Sequence, residues 1–154
     1  MDRFIVMLDS ELDMVSIEQN GLTAKIYQQV RGTTDFMKYS DEDADAAMKS
    51  NLWSAVAYND DKPVGIVRIV GDGRICFFIK DLIVIPECQG RGIGLLLMKL
   101  IFKYLEVVAA DHAYVGLMST VGKEECYEKF GFIRRPNKKF GSGMVMFFDR
   151  RKKI

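Results

Sequence analysis

The chain has 154 residues, 49% of them apolar and 28% charged, a composition that suits one globular domain spanning 1–154 and excludes disordered and membrane classes. Lysine plus arginine number 22 against 21 for aspartate plus glutamate, so no overall field draws the chain to nucleic acid or to a membrane. Cys76, Cys88 and Cys126 form no C-x-x-C pair, so neither a disulfide framework nor a metal site is expected, and a reducing cytoplasm suits them.

Arg3 to Leu8 reads as a first strand, and its apolar run is too short for a signal peptide. Gly21 to Arg31, with Leu22, Ile26, Tyr27 and Val30 at helical spacing, reads as an amphipathic helix. Ser40, with Asp43 three positions on, caps a short acidic helix through Lys49. Leu52 to Tyr58 and Val64 to Val70 are apolar runs joined by Asn59-Asp60-Asp61-Lys62, which is the pattern of a hairpin. Gly71-Asp72-Gly73 turns the chain into Ile75 to Ile85, a long strand interrupted at Lys80-Asp81, where a bulge or a change of face is expected.

From Arg91 the pattern is helical for about five turns, with Lys99, Lys103 and Glu106 on one narrow polar stripe and nearly all the rest covered. Tyr114 to Met118 reads as a strand, Lys123 to Phe130 as a helix ended by Gly131, Phe132 to Arg134 as a strand start and Met144 to Phe148 as a last strand, exposed in a way that permits a homodimer. Strands in runs with helices between them imply a mixed sheet in a layered α/β domain.

Between the long strand and the long helix lies Pro86-Glu87-Cys88-Gln89-Gly90-Arg91-Gly92-Ile93-Gly94. Glycines let backbone N–H groups approach a ligand, and a helix start presents unpaired donors carrying about half a positive charge. Together they suit a pyrophosphate, and Arg91 adds a cation. A Walker loop would need Lys-Ser/Thr after its last glycine, where Leu95-Leu96 stands, and in a G-x-G-x-x-G fingerprint opening at Gly90 the third glycine would fall at Leu95.

The same segment resembles the Q/R-x-x-G-x-G/A signature of the GNAT acetyltransferases, with Gln89, Gly92 and Gly94 in place. Asp81-Leu82-Ile83-Val84-Ile85-Pro86 is similar to the family's fourth strand and its proline exit, and Tyr127-Glu128-Lys129-Phe130-Gly131-Phe132 to its Y-x-x-x-G-F segment. Element order matches from about Arg3 to Phe148. The implied fold is a mixed, mostly antiparallel sheet of six to seven strands flanked by four helices, with the fourth and fifth strands parallel and splayed.

The resemblance also implies a cosubstrate, acetyl-CoA, held between the splayed strands. The backbone of Leu82, Ile83 and Val84 would pair with its pantetheine arm. Gln89 and the amides of Gly90, Arg91, Gly92, Ile93, Gly94 and Leu95 would hold its pyrophosphate. Acetyl transfer to an amine needs a base, because an alkylamine of pKa about 10.4 is only about one part in a few thousand neutral at pH 7. Asp81 is the candidate base, acting through water; Val84 N–H is the candidate oxyanion donor, and Tyr127, which also contacts the cofactor, the candidate acid for the leaving thiolate.

Tyr27, Arg31, Thr34 and Phe36, with the loop Phe140 to Gly143, are the candidates to line the acceptor mouth. Acid between Asp35 and Asp45 would favour a cationic amine there. Glu87 is expected to face solvent and His112, in a polar turn, to be a surface residue. The expected activity is N-acetylation of a small-molecule amine; the alternatives are a protein lysine or N-terminal acetyltransferase and a non-catalytic acetyl-CoA-binding regulatory module.

Overall fold

A computed structural model describes residues 3–8 and 14–152. The chain divides into two compact units, 1–117 and 118–154. The first holds six strands in the spatial order β1 (Phe4–Met7), β2 (Met14–Gln19), β3 (Trp53–Asn59), β4 (Lys62–Gly71), β5 (Cys76–Val84) and β6 (Tyr114–Gly116). All neighbours are antiparallel except β5 and β6, which run parallel. A parallel pair needs a crossover, supplied here by helix α3 (Ile93–Val108).

Helices α1 (Ala24–Arg31) and α2 (Asp41–Met48) start where side chains can cap them: Thr23 Oγ1 accepts from Ile26 N–H at 3.3 Å and Ser40 Oγ from Asp43 N–H at 3.0 Å. The cap expected at Ser40 is therefore formed. Strand β3 is buried from Trp53 to Tyr58, as a strand covered on both faces must be. One cover is α3: a Cβ on Gly65 would lie 3.1 Å from Ile93 and 3.4 Å from Leu97, so the absence of a side chain there lets the helix lie close without pushing either residue aside. Trp53 stacks on Tyr104 of the same helix, with ring centroids 5.7 Å apart. Helix α1 packs on β4 and β5.

Three expectations are corrected. Strand β2 was not foreseen; the parallel pair is formed by the two strands expected, β5 and β6, and only their count shifts from fourth and fifth to fifth and sixth. Along α3 the exposed residues are Leu95, Lys99, Lys103, Glu106 and Val107, so the open stripe is the expected one widened by two apolar residues and the rest of the helix is covered or half-covered. It also starts at Ile93, because Gly92 takes the left-handed φ of 85°.

The third correction lies in the second unit. Its regular element among the described residues is helix α4 (Glu124–Glu128), and neither Phe132–Arg134 nor Met144–Phe148 is a strand. An apolar run becomes a strand only by pairing its N–H and C=O groups with a neighbouring backbone, and no neighbour in this unit does so. The five residues Met144 to Phe148 are 69–90% exposed, and the strand invoked for a homodimer is not formed.

Candidate active site

Strand β5 carries the irregularity expected at Lys80-Asp81. Ile66 pairs with Ile83 but Arg68 with Lys80, so one extra residue is fitted into β5, and Asp81 takes a φ of 54°. Aspartate tolerates that left-handed region better than most residues. The parallel pairing with β6 ends at Phe78 and Gly116. Beyond it, Ile79 to Val84 keep β4 on one side and lack β6 on the other. Ile85 N–H donates to Val64 O at 2.9 Å, and alternation along the strand then turns the N–H and C=O of Val84 toward that open edge. Gln89 Nε2 reaches the same edge, donating to Val84 O at 3.0 Å.

Pro86 to Cys88 form a 3₁₀ turn, after which Gly90 (φ 77°) and Gly92 (φ 85°) bring the chain into α3. A Cβ on either glycine would meet nothing within 4 Å. Packing therefore does not demand glycine there; the backbone angle does. Gly92 has no side chain with which to cap the helix, and the first helical bond runs from Leu96 N–H to Gly92 O. The amides ahead of it lie in the first turn, whose donors have no partner within a helix. The uncapped helix start thus follows a strand that β6 no longer pairs beyond Phe78, an arrangement whose chemistry suits an anion.

On the opposite face of the sheet, Asp81 is the hub of a second cluster. Its Oδ1 accepts from Arg31 Nη1 and its Oδ2 from Arg68 Nε at 2.9 Å. The three side chains are 3%, 10% and 13% exposed respectively. Arg68 Nη1 also donates to Asn51 Oδ1 at 3.2 Å. Three rings surround the Arg31 guanidinium, those of Tyr27, Phe36 and Tyr39 at 5.5, 5.2 and 5.2 Å. Burial and the neighbouring Asp81 carboxylate push the Tyr27 phenol up to about 12, so it stays protonated at neutral pH.

Residues 21–152 match the family model described as the acetyltransferase (GNAT) domain. The chain belongs to the GNAT acetyltransferase family. A probable acetyltransferase from meticillin-resistant Staphylococcus aureus superposes on 88% of this GNAT chain and all of its own, at 29% identity and a TM-score of 0.79. A GNAT-family acetyltransferase from Streptococcus pneumoniae covers 90% of this chain and all of its own, at 23% identity and 0.71. N-acetylglutamate synthase from Neisseria gonorrhoeae, solved with coenzyme A and L-arginine, shares the fold at 18% identity and 0.62, over 83% of this chain and 29% of its own. No curated protein sequence matches significantly.

Of the residues expected to act in this GNAT protein, Leu82, Ile83, Val84 and Gln89 to Leu95 lie in one continuous path along β5, the turn and the start of α3. Tyr27, Arg31 and Phe36 come together at α1, whereas Thr34 is occupied locally. Its hydroxyl donates to Arg31 O at 2.7 Å and accepts from Phe36 N–H at 3.2 Å. Tyr127 belongs to the second unit, where its ring meets Phe132 edge-on at 6.1 Å and burial raises its pKa. The loop at Phe140 lies there too, under the cations Arg135 and Lys139. Glu87 is exposed and paired with Lys62 at 2.9 Å, and His112 is exposed beside Asp111.

The sequence reading missed Arg68, Tyr39 and Lys38. Arg68 had a signal: it is the one charge inside the apolar run Val64 to Val70, as Asp81 is inside the next strand. Opposite charges in adjacent apolar strands are natural partners, since a buried charge is costly without one.

Proposed function

We propose that this chain is an N-acetyltransferase that moves the acetyl group of acetyl-CoA directly to a primary amine of a small molecule, with 1–154 acting as one GNAT domain. The observation that carries this reading is the free edge of β5 beyond Phe78 running straight into the uncapped, glycine-lined start of α3. Leu82, Ile83 and Val84 would hold the pantetheine arm, and the amides from Gly90 to Leu95, with Arg91, the pyrophosphate. Bound acetyl-CoA supplies an activated thioester.

The chain's own groups then have separate tasks. The Val84 N–H, turned to the open edge, is suited to donate to the acyl oxygen. Tyr127, kept protonated by burial, is suited to give its proton to the departing thiolate. Asp81 has both oxygens engaged by guanidinium groups, so we assign it a positioning task and not proton removal from the amine. Three free thiols suit a reducing cytoplasm.

The test is calorimetric titration of the full chain with coenzyme A, followed by single-turnover transfer from labelled acetyl-CoA to a panel of small amines and lysine peptides. Saturable binding and label on a small amine are expected. Absence of both heat and competition by coenzyme A from the folded chain refutes the proposal.

A further inference from the structure

Beside the Asp81 cluster lies a cleft of about 240 Å³ lined by Gln28, Arg31, Gly32, Phe36, Lys38 and Tyr39. The segment forming its outer wall is tied back onto α1. Gln28 Nε2 donates to Tyr39 O at 2.8 Å and Arg31 Nε to Met37 O at 3.1 Å. The wall is therefore held in place by the same arginine that faces the cleft.

The charge in this place does not balance. Two guanidinium groups share one carboxylate, all three largely buried, which leaves the cluster one positive charge in excess. Arg31 has five N–H donors; Nε goes to Met37 and Nη1 to Asp81, and Nη2 has no hydrogen-bond partner among the described residues. No buried side-chain nitrogen or oxygen among those residues lacks a partner, so Nη2 is not fully buried. The second cation lining the cleft is Lys38, and no carboxylate lines it. Acid is close in sequence, at Asp35 and in the first turn of α2. Asp41, Glu42 and Asp43 there sit at a helix start that favours negative charge, and Asp41 also takes a hydrogen bond from Gln28.

We infer that the acceptor amine carries an anionic group, a carboxylate or a phosphate, which docks on Arg31 and Lys38 in this cleft. This rests on the acetyltransferase reading above and narrows its substrate class. A planar guanidinium fork with an unengaged nitrogen, on a side chain only 10% exposed, pairs with either oxyanion, and the half-exposed rings of Phe36 and Tyr39 flank the contact. The acid of α2 lies outside the lining, so it tempers the field without occupying the contact.

The experiment is calorimetric titration of the full chain, with and without saturating coenzyme A, using matched amines that differ in the anion alone. Aminoethyl phosphate is compared with ethanolamine, and β-alanine with propylamine. The anionic member of at least one pair should bind about tenfold more tightly or better, equivalent to ~1.4 kcal/mol; which pair responds identifies phosphate or carboxylate. Lys38→Gln, at an exposed site, should cut that preference at least about threefold by weakening the anionic member; Arg31→Lys, if it folds, should weaken it further. Equal or tighter binding of the amines without the anion, no binding of either anionic amine, or a preference untouched by Lys38→Gln overturns the inference. Coenzyme A binding without anion preference refutes this inference alone, and anion preference without coenzyme A binding refutes the acetyltransferase reading alone.

Discussion

Asp81 occupies the extra position of a bulge, in a left-handed backbone, and from there a short side chain reaches two arginines that come from different elements. Asparagine tolerates the same backbone, so Asp81→Asn isolates the charge. Removing one member of a buried ion cluster costs about 3–5 kcal/mol. The melting temperature should fall by about 10 °C on that account. Because the residue positions Arg31 and is not assigned the proton, acetyl transfer by the folded variant at low temperature should show a raised acceptor KM, with kcat reduced less than about tenfold; loss of a general base would take kcat down about 100-fold or more. Tyr127→Phe should do the reverse, lowering kcat by about 100-fold with KM little changed. A raised phenol pKa means Tyr127 is protonated, and so able to act as an acid, throughout the neutral range. Wild-type kcat should therefore show no alkaline fall attributable to this group below pH 10, its ordinary pKa. The interruption at Asp81 was visible in the sequence as a charge in an apolar strand, but its partner Arg31 was not. That contact spans fifty residues and is set by how α1 lies on the sheet.

Between elements, the turns carry the geometry. Gly92 is needed for its φ of 85° and for the open space before it. Gly92→Asn keeps the backbone accessible and fills that space, so it should leave the melting temperature within a few degrees and weaken coenzyme A at least about tenfold. Gly92→Val should lose the same affinity and, in addition, about 1–2 kcal/mol of stability to left-handed strain. At the turn from β4 to β5, Asp72 Oδ1 accepts from the N–H groups of Arg74, Ile75 and Cys76 at 2.8–3.0 Å, and these bonds hold its pKa below the usual 3.8. A depressed carboxylate contributes stability that is complete above its unfolded pKa and lost as pH falls through the folded one. Thermal melts of wild type and Asp72→Ala should therefore differ at pH 7 and draw together below about pH 3.8. Elements defined by local pattern were legible: the two capped helices, the β3–β4 hairpin with its tight Asp60-Asp61 turn, and the strand–glycine–helix passage. Strand β2 was not, because only Val15 and Ile17 alternate as a buried face, too short a signal against its polar neighbours.

At the scale of the molecule, the described buried core lies wholly between Leu8 and Leu105. The second unit begins at Met118, and none of its described residues is fully buried, Tyr127 being partly so. It is also shorter than the roughly 40 residues below which a chain needs disulfides, metal or a partner surface to fold, and its cysteine is free. Its hydrogen bonds are short-range: Arg134 forks onto Glu128 at 3.0 and 2.8 Å, and Asn137 Oδ1 accepts from the amides of Lys139 and Phe140. Bonds of that kind shape turns but contribute little net stability without burial behind them. Yet the family match runs without a break from 21 to 152, across both units. A synthetic peptide of residues 118–154 should accordingly show no cooperative thermal transition by circular dichroism, while the full chain melts in one. A cooperative melt of the peptide would mean that this segment folds by itself and that the single-domain reading is wrong.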